Sequence, residues 1–510
     1  MRLFLKKERV FLIAIISLAL LLRLINLSNW PAVFNQDEAL NGYEAYSILN
    51  TGHDHRGNFL PIFFEGFDDR MDNRLPLYIY LSVPFVATLG LDKFTIRLPA
   101  ALIGVLMVFI TYLLVKELFK KESVALLASL FTAISPWHIF LSRIGLEVIL
   151  VPFFSILSIL FFLKWVNGKK YFILFSAISL GFLFYTYHIA KLLTPLLGLT
   201  LIILFWKKVK ENKKIFFIAF LIFLAISLPL ILTQFQHWQK IQGRFNRVAV
   251  FSFTFWPVII IFNFLSYFTP PFFLNTQLFF ILPLLLLGFF FALKSIKQKE
   301  IKLIFVLILI ALIPASLTLP NPHFTRASPL LPFFEIIAAW GLTEAFSNLK
   351  KTRAKPSLIL VVFGLFFLSL FFINLGFLKK NKYPLNFCVD EGMCSYVSED
   401  LVSYLLTNQD KYEKIVVTNK KTNHPYIFFL FFSKYSPEKF QALKIQRKYI
   451  SDYLQIVESF DKYHFCPIEK CYQPNENNLY VIRENELTDL PIKKVFYNTD
   501  GSVFKVVANN

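Results

Sequence analysis

Apolar segments long enough to cross a lipid bilayer recur along this chain of 510 residues. A helix needs about 20 apolar residues, within a range of about 17–25, to cross a hydrocarbon core of roughly 30 Å. Two stretches fit this requirement less well, because segment 76–91 is short and segment 250–268 has an irregular apolar pattern. The clear segments are residues 10–27, 98–115, 124–141, 146–165, 171–187, 192–206, 215–233, 277–293, 303–319, 330–346 and 357–377. The pattern predicts a polytopic α-helical membrane protein with about 11–13 spans.

The composition excludes a single soluble domain. Hydrophobic residues make up 56% of the chain and charged residues only 17%, against about 45–50% and about 25% in soluble proteins. A bilayer can accommodate that much apolar surface. The first segment is similar to a secretory signal, but Asn29, Trp30 and Pro31 follow it in place of a small-residue cleavage site. We therefore expect it to remain as a span.

The net charge of +20 comes from short clusters of Lys and Arg at the ends of the apolar segments. The clusters lie at residues 2–9, 116–121, 164–170, 207–214, 294–302 and 350–355. Cationic loops of this kind stay cytoplasmic, so the distribution is typical of a membrane protein and not of a nucleic-acid-binding protein. It predicts a multi-pass protein of the cell membrane with a cytoplasmic N-terminus. Loop 28–75 and the residues after 379 should lie outside, provided that residues 76–115 make one net crossing.

The predicted organisation has two parts, a membrane module at residues 1–379 and an extracytoplasmic α/β domain at residues 380–510. The second part is more polar, and short β-like runs alternate there with helix-like runs. The sequence Asn-Thr-Asp-Gly at 498–501 predicts a hairpin turn between the last two strands. No catalytic signature is present in this domain.

All four cysteines, Cys388, Cys394, Cys466 and Cys471, fall in that domain as two close pairs. Such pairs are typical of disulfides in an oxidising compartment. Free thiols or a four-cysteine metal site are the alternatives, although the spacings C-x5-C and C-x4-C fit a zinc ribbon poorly. We predict disulfides.

The first predicted outside loop, residues 28–75, is long and acidic, with aromatic residues and Gly/Pro punctuation suited to an ordered loop. Its acids are Asp37, Glu38, Glu44, Asp54, Glu65, Asp68, Asp69 and Asp72. Asp37 and Glu38 begin a stretch with helical periodicity. Acids are favoured at helix N-termini, so a simple capping role is the alternative to a chemical one.

Three isolated cations, Arg143, Lys191 and Arg326, lie among aromatic residues at predicted outer span ends. Each alone could be an anchor at the membrane interface. Together, beside an acidic loop, they predict a pocket for an anionic group. His138, His188 and His323 share this level but have no metal-ligand spacing, so no metal site is predicted.

Several motifs in order along residues 1–380 resemble the GT-C glycosyltransferases of family 39, the protein O-mannosyltransferase and aminoarabinose transferase group. The motifs are Asp37-Glu38 after the first span, Pro76-Leu-Tyr-Ile-Tyr-Leu, Phe94-Thr-Ile-Arg-Leu-Pro-Ala, Ser135-Pro-Trp-His, Ser142-Arg143, Tyr185-Thr-Tyr, Lys191, Asn263-Phe-Leu-Ser-Tyr-Phe-Thr-Pro and Arg326. The resemblance implies a GT-C-like fold and a polyprenyl-phosphate sugar donor, with transfer to an acceptor hydroxyl on a protein, lipid or glycan.

The resemblance also implies roles for single residues. Asp37 would be the general base, with Glu38 beside it orienting the loop or the acceptor. Arg326 and Lys191 would hold the leaving phosphate, although relatives often carry Arg at the position of Lys191, and a lysine loses the bidentate geometry. The other substrate-binding candidates are Arg143, Tyr187, His323 and Asp72, the last with an acceptor- or metal-binding role.

The residues indicate no cofactor with certainty; a divalent metal is possible, and the lipid-linked sugar is a substrate. The main alternative is a polytopic transporter or lipid flippase, which would show repeated halves and spans broken near the midplane. A membrane-anchored binding protein would need only one or two spans. We see no internal repeat, and the polar residues lie at span ends, which favours a transferase.

Overall fold

The computed structural model describes residues 2–67, 73–276, 278, 281–349, 396–422, 424–443, 445–451, 454–486, 488–498 and 501–508. The chain forms two compact units. The first comprises Met1–Ile25, Ala100–Gln236 and Phe245–Phe387, and the second Asn26–Pro99, His237–Arg244 and Cys388–Asn510.

Helices dominate the chain as far as residue 349. They are α1 (Arg2–Leu24), α2 (Gln36–Thr51), α3 (Leu77–Leu89), α4 (Lys93–Phe119), α5 (Glu122–Ile134), α6 (Pro136–Leu141), α7 (Leu150–Val166), α8 (Phe172–Leu183), α9 (Ala190–Leu204), α10 (Trp206–Glu211), α11 (Lys213–Gln236), α12 (Trp238–Val248), α13 (Trp256–Ser266), α14 (Pro270–Thr276), α15 (Leu282–Lys294), α16 (Lys299–Ser316) and α17 (Phe333–Leu349). Four more follow after residue 396: α18 (Glu399–Asn408), α19 (Tyr426–Phe432), α20 (Pro437–Ala442) and α21 (Ile468–Cys471).

Among the described residues, four helices are long and apolar enough to cross a membrane. They are Lys93–Phe119, Glu147–Val166, Lys213–Gln236 and Ser328–Asn348. The pair α13 and α14, bent by 55°, would make a fifth. The predicted class is confirmed, but these spans are fewer than the 11–13 expected from the sequence.

Part of the difference arises because several apolar segments in the sequence are longer than the helices they form. Helices occupy the other predicted positions, but α3, α5, α8, α9 and α15 have only 10–17 residues. The segment predicted at 124–141, for example, is broken between α5 and α6, because Ser135 precedes Pro136 and leaves the helical conformation. The segment predicted at 357–377 lies outside the described residues.

The first unit is a helical bundle with an apolar exterior. Helix α5 packs on α1 and α17, α8 packs on α7 and α11, and α15 packs on α17. Helices α15 and α17 approach closely where Gly288 and Gly341 meet, a use of small residues typical of membrane helices. On α11, Phe217 and Phe235 are 59% and 68% exposed. Apolar side chains this exposed are stable in lipid and not in water.

The second unit contains nine described strands. In the acidic loop, β1 (Phe64–Glu65) pairs with β2 (Asn73–Arg74). The others are β3 (Lys414–Val417), β4 (Gln446–Ser451), β5 (Leu454–Phe460), β6 (Tyr463–Phe465), β7 (Asn478–Arg483), β8 (Ile492–Tyr497) and β9 (Val503–Ala508). These seven form a mixed sheet in the order β4-β5-β6-β3-β7-β9-β8, in which β3 pairs in parallel with β6 and β7 and the other neighbours are antiparallel. The small C-terminal α/β domain expected from the sequence is therefore confirmed.

Two details of that domain were predicted from the sequence. Strands β8 and β9 pair antiparallel around residues 498–501, as the turn motif indicates. Cys466 and Cys471 form a disulfide. The other predicted pair, Cys388 and Cys394, lies outside the described residues.

Candidate functional site

Helix α2 carries the two acids that the sequence singled out, and its N-terminus is closed by a capping box. The side chain of Asn35 accepts a hydrogen bond from the Glu38 backbone N–H at 2.8 Å, and the Glu38 carboxylate accepts one from the Asn35 N–H at 3.3 Å. This reciprocal arrangement satisfies two backbone donors that the first turn would otherwise leave unpaired. Capping at this helix is thus the work of Asn35 and Glu38, and Asp37 takes no part in it.

Glu38 is completely buried in an ion pair with Arg97 of α4. The Arg97 Nε and Nη2 atoms donate to the two carboxylate oxygens at 2.8 and 3.1 Å. The same guanidinium also donates to the backbone carbonyls of Leu27, Ser28, Pro31 and Val33. Through Arg97, Glu38 therefore holds the loop before α2 in place.

Asp37 has a different environment. Its Oδ1 accepts a hydrogen bond from Arg74 Nη2 at 2.6 Å, and 31% of its side chain is exposed. Within the described part of the chain, no residue donates to Oδ2. One carboxylate oxygen is thus fixed by a charged donor, and the other can accept a proton from a substrate.

The position of Arg74 follows from the short ladder between β1 and β2. Arg74 pairs with Phe64 across this ladder, and its guanidinium lies over the ring of Phe67, 5.5 Å from the centroid. Asp72, the candidate acceptor- or metal-binding residue, lies outside the described residues. Neither the pairing of Arg74 with Asp37 nor that of Arg97 with Glu38 was predicted from the sequence. The signal that could have indicated them is a single arginine in each neighbouring segment, beside the acidic start of α2.

A second buried pair holds the middle of α2. His55 Nδ1 lies 2.5 Å from Glu44 Oε1, and the His55 backbone N–H donates to Oε2 at 2.9 Å. Both side chains are fully buried. Helix α2 has three acids, and two of them, Glu38 and Glu44, hold the helix in place. The third, Asp37, is partly exposed.

In the first unit, Arg143 lies at the C-terminal end of α1. Its guanidinium donates to the carbonyls of Leu22 and Ile25 at 2.8 and 2.7 Å, and the residue is 1% exposed. A cation at this position satisfies carbonyls that the helix leaves unpaired. Arg23, also buried, contacts His138 Nδ1 at 2.5 Å. The Arg143 guanidinium thus holds the backbone at the end of α1.

Arg326 and His323 lie in the loop between α16 and α17, beside the bend between α13 and α14. The backbone N–H of His323 donates to Tyr267 Oη at 3.4 Å, and Ser266 Oγ donates to Asn321 Oδ1 at 3.0 Å. Burial, and then the charge of Arg326, lower the pKa of His323 to about 3. His323 is therefore neutral at physiological pH, and Arg326 carries the charge of this loop.

Lys191 is the second residue of α9, and Tyr187 precedes that helix. The Lys191 backbone N–H donates to the His188 carbonyl at 3.2 Å. The rings of Tyr187 and His188 meet edge to face at 5.8 Å. A lysine and the N-terminus of a helix both favour an anion at this position.

Glu335 of α17 is a buried acid that was not predicted from the sequence. It is completely buried, and neither carboxylate oxygen has a hydrogen-bond partner among the described residues. It was missed because it lies within an apolar segment and outside every motif. Among the described residues, no group of three or more His, Cys, Asp or Glu side chains could hold a metal ion.

A family model matches part of the chain. Residues 74–232 match the profile of the family described as dolichyl-phosphate-mannose-protein mannosyltransferase. The match includes Arg74, Arg143, Tyr187 and Lys191 and ends before Arg326. No curated protein matches the chain in a sequence comparison.

Solved structures share the fold over almost the whole chain. ArnT from Cupriavidus metallidurans bound to undecaprenyl phosphate has a TM-score of 0.59 and 12% identity, over 98% of each chain. The apo form of ArnT also gives 0.59, with 11% identity. This chain has an ArnT-like fold. The oligosaccharyltransferase of Archaeoglobus fulgidus matches more distantly, with a TM-score of 0.54 and 12% identity over 84% of this chain and 64% of that one.

This chain is therefore a multi-pass membrane protein with the fold of ArnT. The family match covers less than a third of the chain. It does not by itself give roles to Asp37 or Arg326, because neither residue falls in the matched stretch.

Proposed function

We propose that this chain is a glycosyltransferase that moves a sugar from a polyprenyl-phosphate donor to an acceptor hydroxyl on the extracytoplasmic face, with inversion at the anomeric carbon. Asp37 is the general base in this proposal. The observation that carries it is the arrangement of its carboxylate, with Oδ1 held by Arg74 at 2.6 Å and the side chain 31% exposed. A base must be within hydrogen-bond reach of the proton that it removes, and a fixed carboxylate with one open oxygen meets that requirement.

The reaction balances as a single displacement. The acceptor oxygen forms a bond to the anomeric carbon as the bond from that carbon to the phosphate oxygen breaks. The hydroxyl proton goes to Asp37 Oδ2, and polyprenyl phosphate leaves with the bonding electrons. Acid–base assistance of this kind contributes about 10²–10⁴-fold to a rate.

The departing phosphate needs cations that are already in place, since fixed charges stabilise developing negative charge without reorganisation. Arg326 and Lys191 are the residues that we propose for this role, with neutral His323 and Tyr187 as hydrogen-bonding neighbours. The proposed lipid class is supported by ArnT, whose structure is bound to undecaprenyl phosphate. Asp72 keeps its proposed acceptor- or metal-binding role.

The proposed orientation follows from the charge distribution. Lysine- and arginine-rich loops stay cytoplasmic, which assigns the acidic loop and the C-terminal domain to the outside. The disulfide between Cys466 and Cys471 supports this assignment, because disulfides persist in oxidising compartments. Acceptor recognition by the C-terminal domain is part of the same proposal.

The test incubates the purified protein with a panel of radiolabelled polyprenyl-phosphate sugars and a mixed acceptor extract. We expect one donor to be consumed and its sugar to appear on an acceptor or, slowly, as free sugar. NMR of the product should show the anomeric configuration opposite to that of the donor. Transfer with retention would overturn the single displacement. If none of the polyprenyl-phosphate sugars bound, the donor class would be wrong.

A further inference from the structure

The C-terminal domain packs directly on the helix that carries Asp37. Helix α2 contacts both α19 and α20 of that domain. At the contact with α19, Gly42 lies against Phe431 so closely that a Cβ atom would overlap its ring. Tyr43 donates from its hydroxyl to the Tyr435 carbonyl at 3.0 Å. The domain is therefore part of the framework that holds the acidic helix.

A continuous stack of side chains leads from this domain to Asp37. The imidazole of His424 lies parallel to the ring of Phe67, with centroids 4.2 Å apart and planes inclined by 10°. Phe67 supports the guanidinium of Arg74, whose Cζ is 5.5 Å from the ring centroid. Arg74 in turn donates to Asp37 at 2.6 Å.

His424 itself is held by the sheet of the domain. It is 6% exposed and adopts a φ of +50°, in the left-handed region that few non-glycine residues occupy. Just before it, Arg483 at the end of β7 donates to the Lys421 carbonyl at 3.1 Å and to Thr422 Oγ1. The guanidinium of Arg483 is fixed over the ring of Phe504, 4.1 Å from the centroid. The loop that presents His424 is thus anchored on two strands.

We propose that His424 is a positioning residue for sugar transfer. This inference rests on the proposed function, since it assumes that Asp37 is the base. His424 supports Phe67 from one side, Phe67 fixes the plane of Arg74, and Arg74 fixes the direction of the open Asp37 oxygen. The C-terminal domain thereby contributes to the chemical step through the base, in addition to any contact with an acceptor.

The expected effect falls on kcat and not on donor binding, because the stack ends at the base. Loss of the His424 ring leaves one face of Phe67 unsupported and lets Arg74 and Asp37 reorient. A misplacement of about 1 Å can cost about 100-fold in rate. A side chain that restores a flat ring should restore most of the activity.

The experiment compares His424→Ala and His424→Phe with wild type in the purified full-length protein. His464→Ala is the matched control, because His464 is a half-buried imidazole on β6 of the same domain. We expect His424→Ala to lower kcat by about 10–100-fold with donor KM unchanged. His424→Phe should recover most of that loss, and His464→Ala should behave as wild type. Thermal unfolding of each variant separates a folding defect from a kinetic one.

A double mutant tests whether His424 acts through Arg74. If it does, His424→Ala should have little further effect on kcat in an Arg74→Gln background. The proposal is overturned if His424→Ala keeps wild-type kcat, or if the phenylalanine variant folds but recovers no activity. It is also overturned if the fold loss in kcat of the double mutant equals the product of the losses of the two single mutants.

Asp37→Asn separates the two proposals. Full activity of that variant rejects Asp37 as the base. An inactive Asp37→Asn beside a fully active His424→Ala rejects only the positioning role of His424.

Discussion

The side chains of Arg74 and Asp37, 37 positions apart in sequence, meet at 2.6 Å between Nη2 and Oδ1. A planar guanidinium on an aromatic ring is a rigid donor, so the carboxylate is held in one orientation. Such preorganisation is what a general base requires, because a correctly directed oxygen avoids the entropic cost of alignment during the reaction.

Arg74→Gln should lower kcat by about 10–100-fold, since the base loses its fixed orientation. Arg74→Lys should recover only part of this, because a lysine lacks the planar stack on Phe67. Arg56→Gln is the control, as Arg56 pairs with Glu65 at 3.3 Å in the same loop. Steady-state transfer assays measure all three. Unchanged kcat in Arg74→Gln would contradict the role of the pair.

Glu38→Gln should act mainly on stability. It breaks a fully buried ion pair, and removing one partner of such a pair costs about 3–5 kcal/mol. We expect a large drop in thermal unfolding temperature in detergent, and kcat close to wild type for the fraction that stays folded. If stability is unchanged and kcat collapses, Glu38 acts in the chemistry after all.

Gly42→Ala should push α2 away from α19, because the new methyl group overlaps Phe431 and lies within 2.8 Å of Ile96. Overpacking of this kind costs about 1–3 kcal/mol. The control is Gly198→Ala on α9, where a Cβ meets nothing within 4 Å, and where alanine should stabilise the helix by up to about 1 kcal/mol. Thermal unfolding compares the two. Equal stabilities would show that α2 is not clamped at this contact.

His323 should make the folded state sensitive to acid. Its folded pKa of about 3 lies below the ordinary value of 6.5, so the unfolded state binds more protons between these two values. Stability therefore falls as pH drops through that window, by up to about 1.4 kcal/mol per pH unit. Unfolding temperatures measured from about pH 7.5 to about pH 5 should decline less in His323→Gln than in wild type. Parallel profiles would contradict a half-buried imidazole that stays neutral in the folded state.

Local sequence signals predicted much of the fold. The acidic start of α2 and the hairpin at 498–501 depend on residues close in sequence, and both are present. The pairs Asp37–Arg74 and Glu38–Arg97 join residues 37 and 59 positions apart, and no local pattern specifies them. The sheet order and the stack on Phe67 depend on tertiary packing in the same way. The apolar pattern also runs past helix ends, so the segment predicted at 171–187 contains the shorter helix α8.

Asp37→Asn, assayed beside wild type and Asp37→Glu, tests the central claim most directly. With the donor identified from the panel, we expect Asp37→Asn to lose about 10²–10⁴-fold in kcat while it still binds the polyprenyl-phosphate sugar. Asp37→Glu should keep measurable activity because it retains a carboxylate. Full activity in Asp37→Asn would show that another group removes the acceptor proton, and would contradict the account given for this helix.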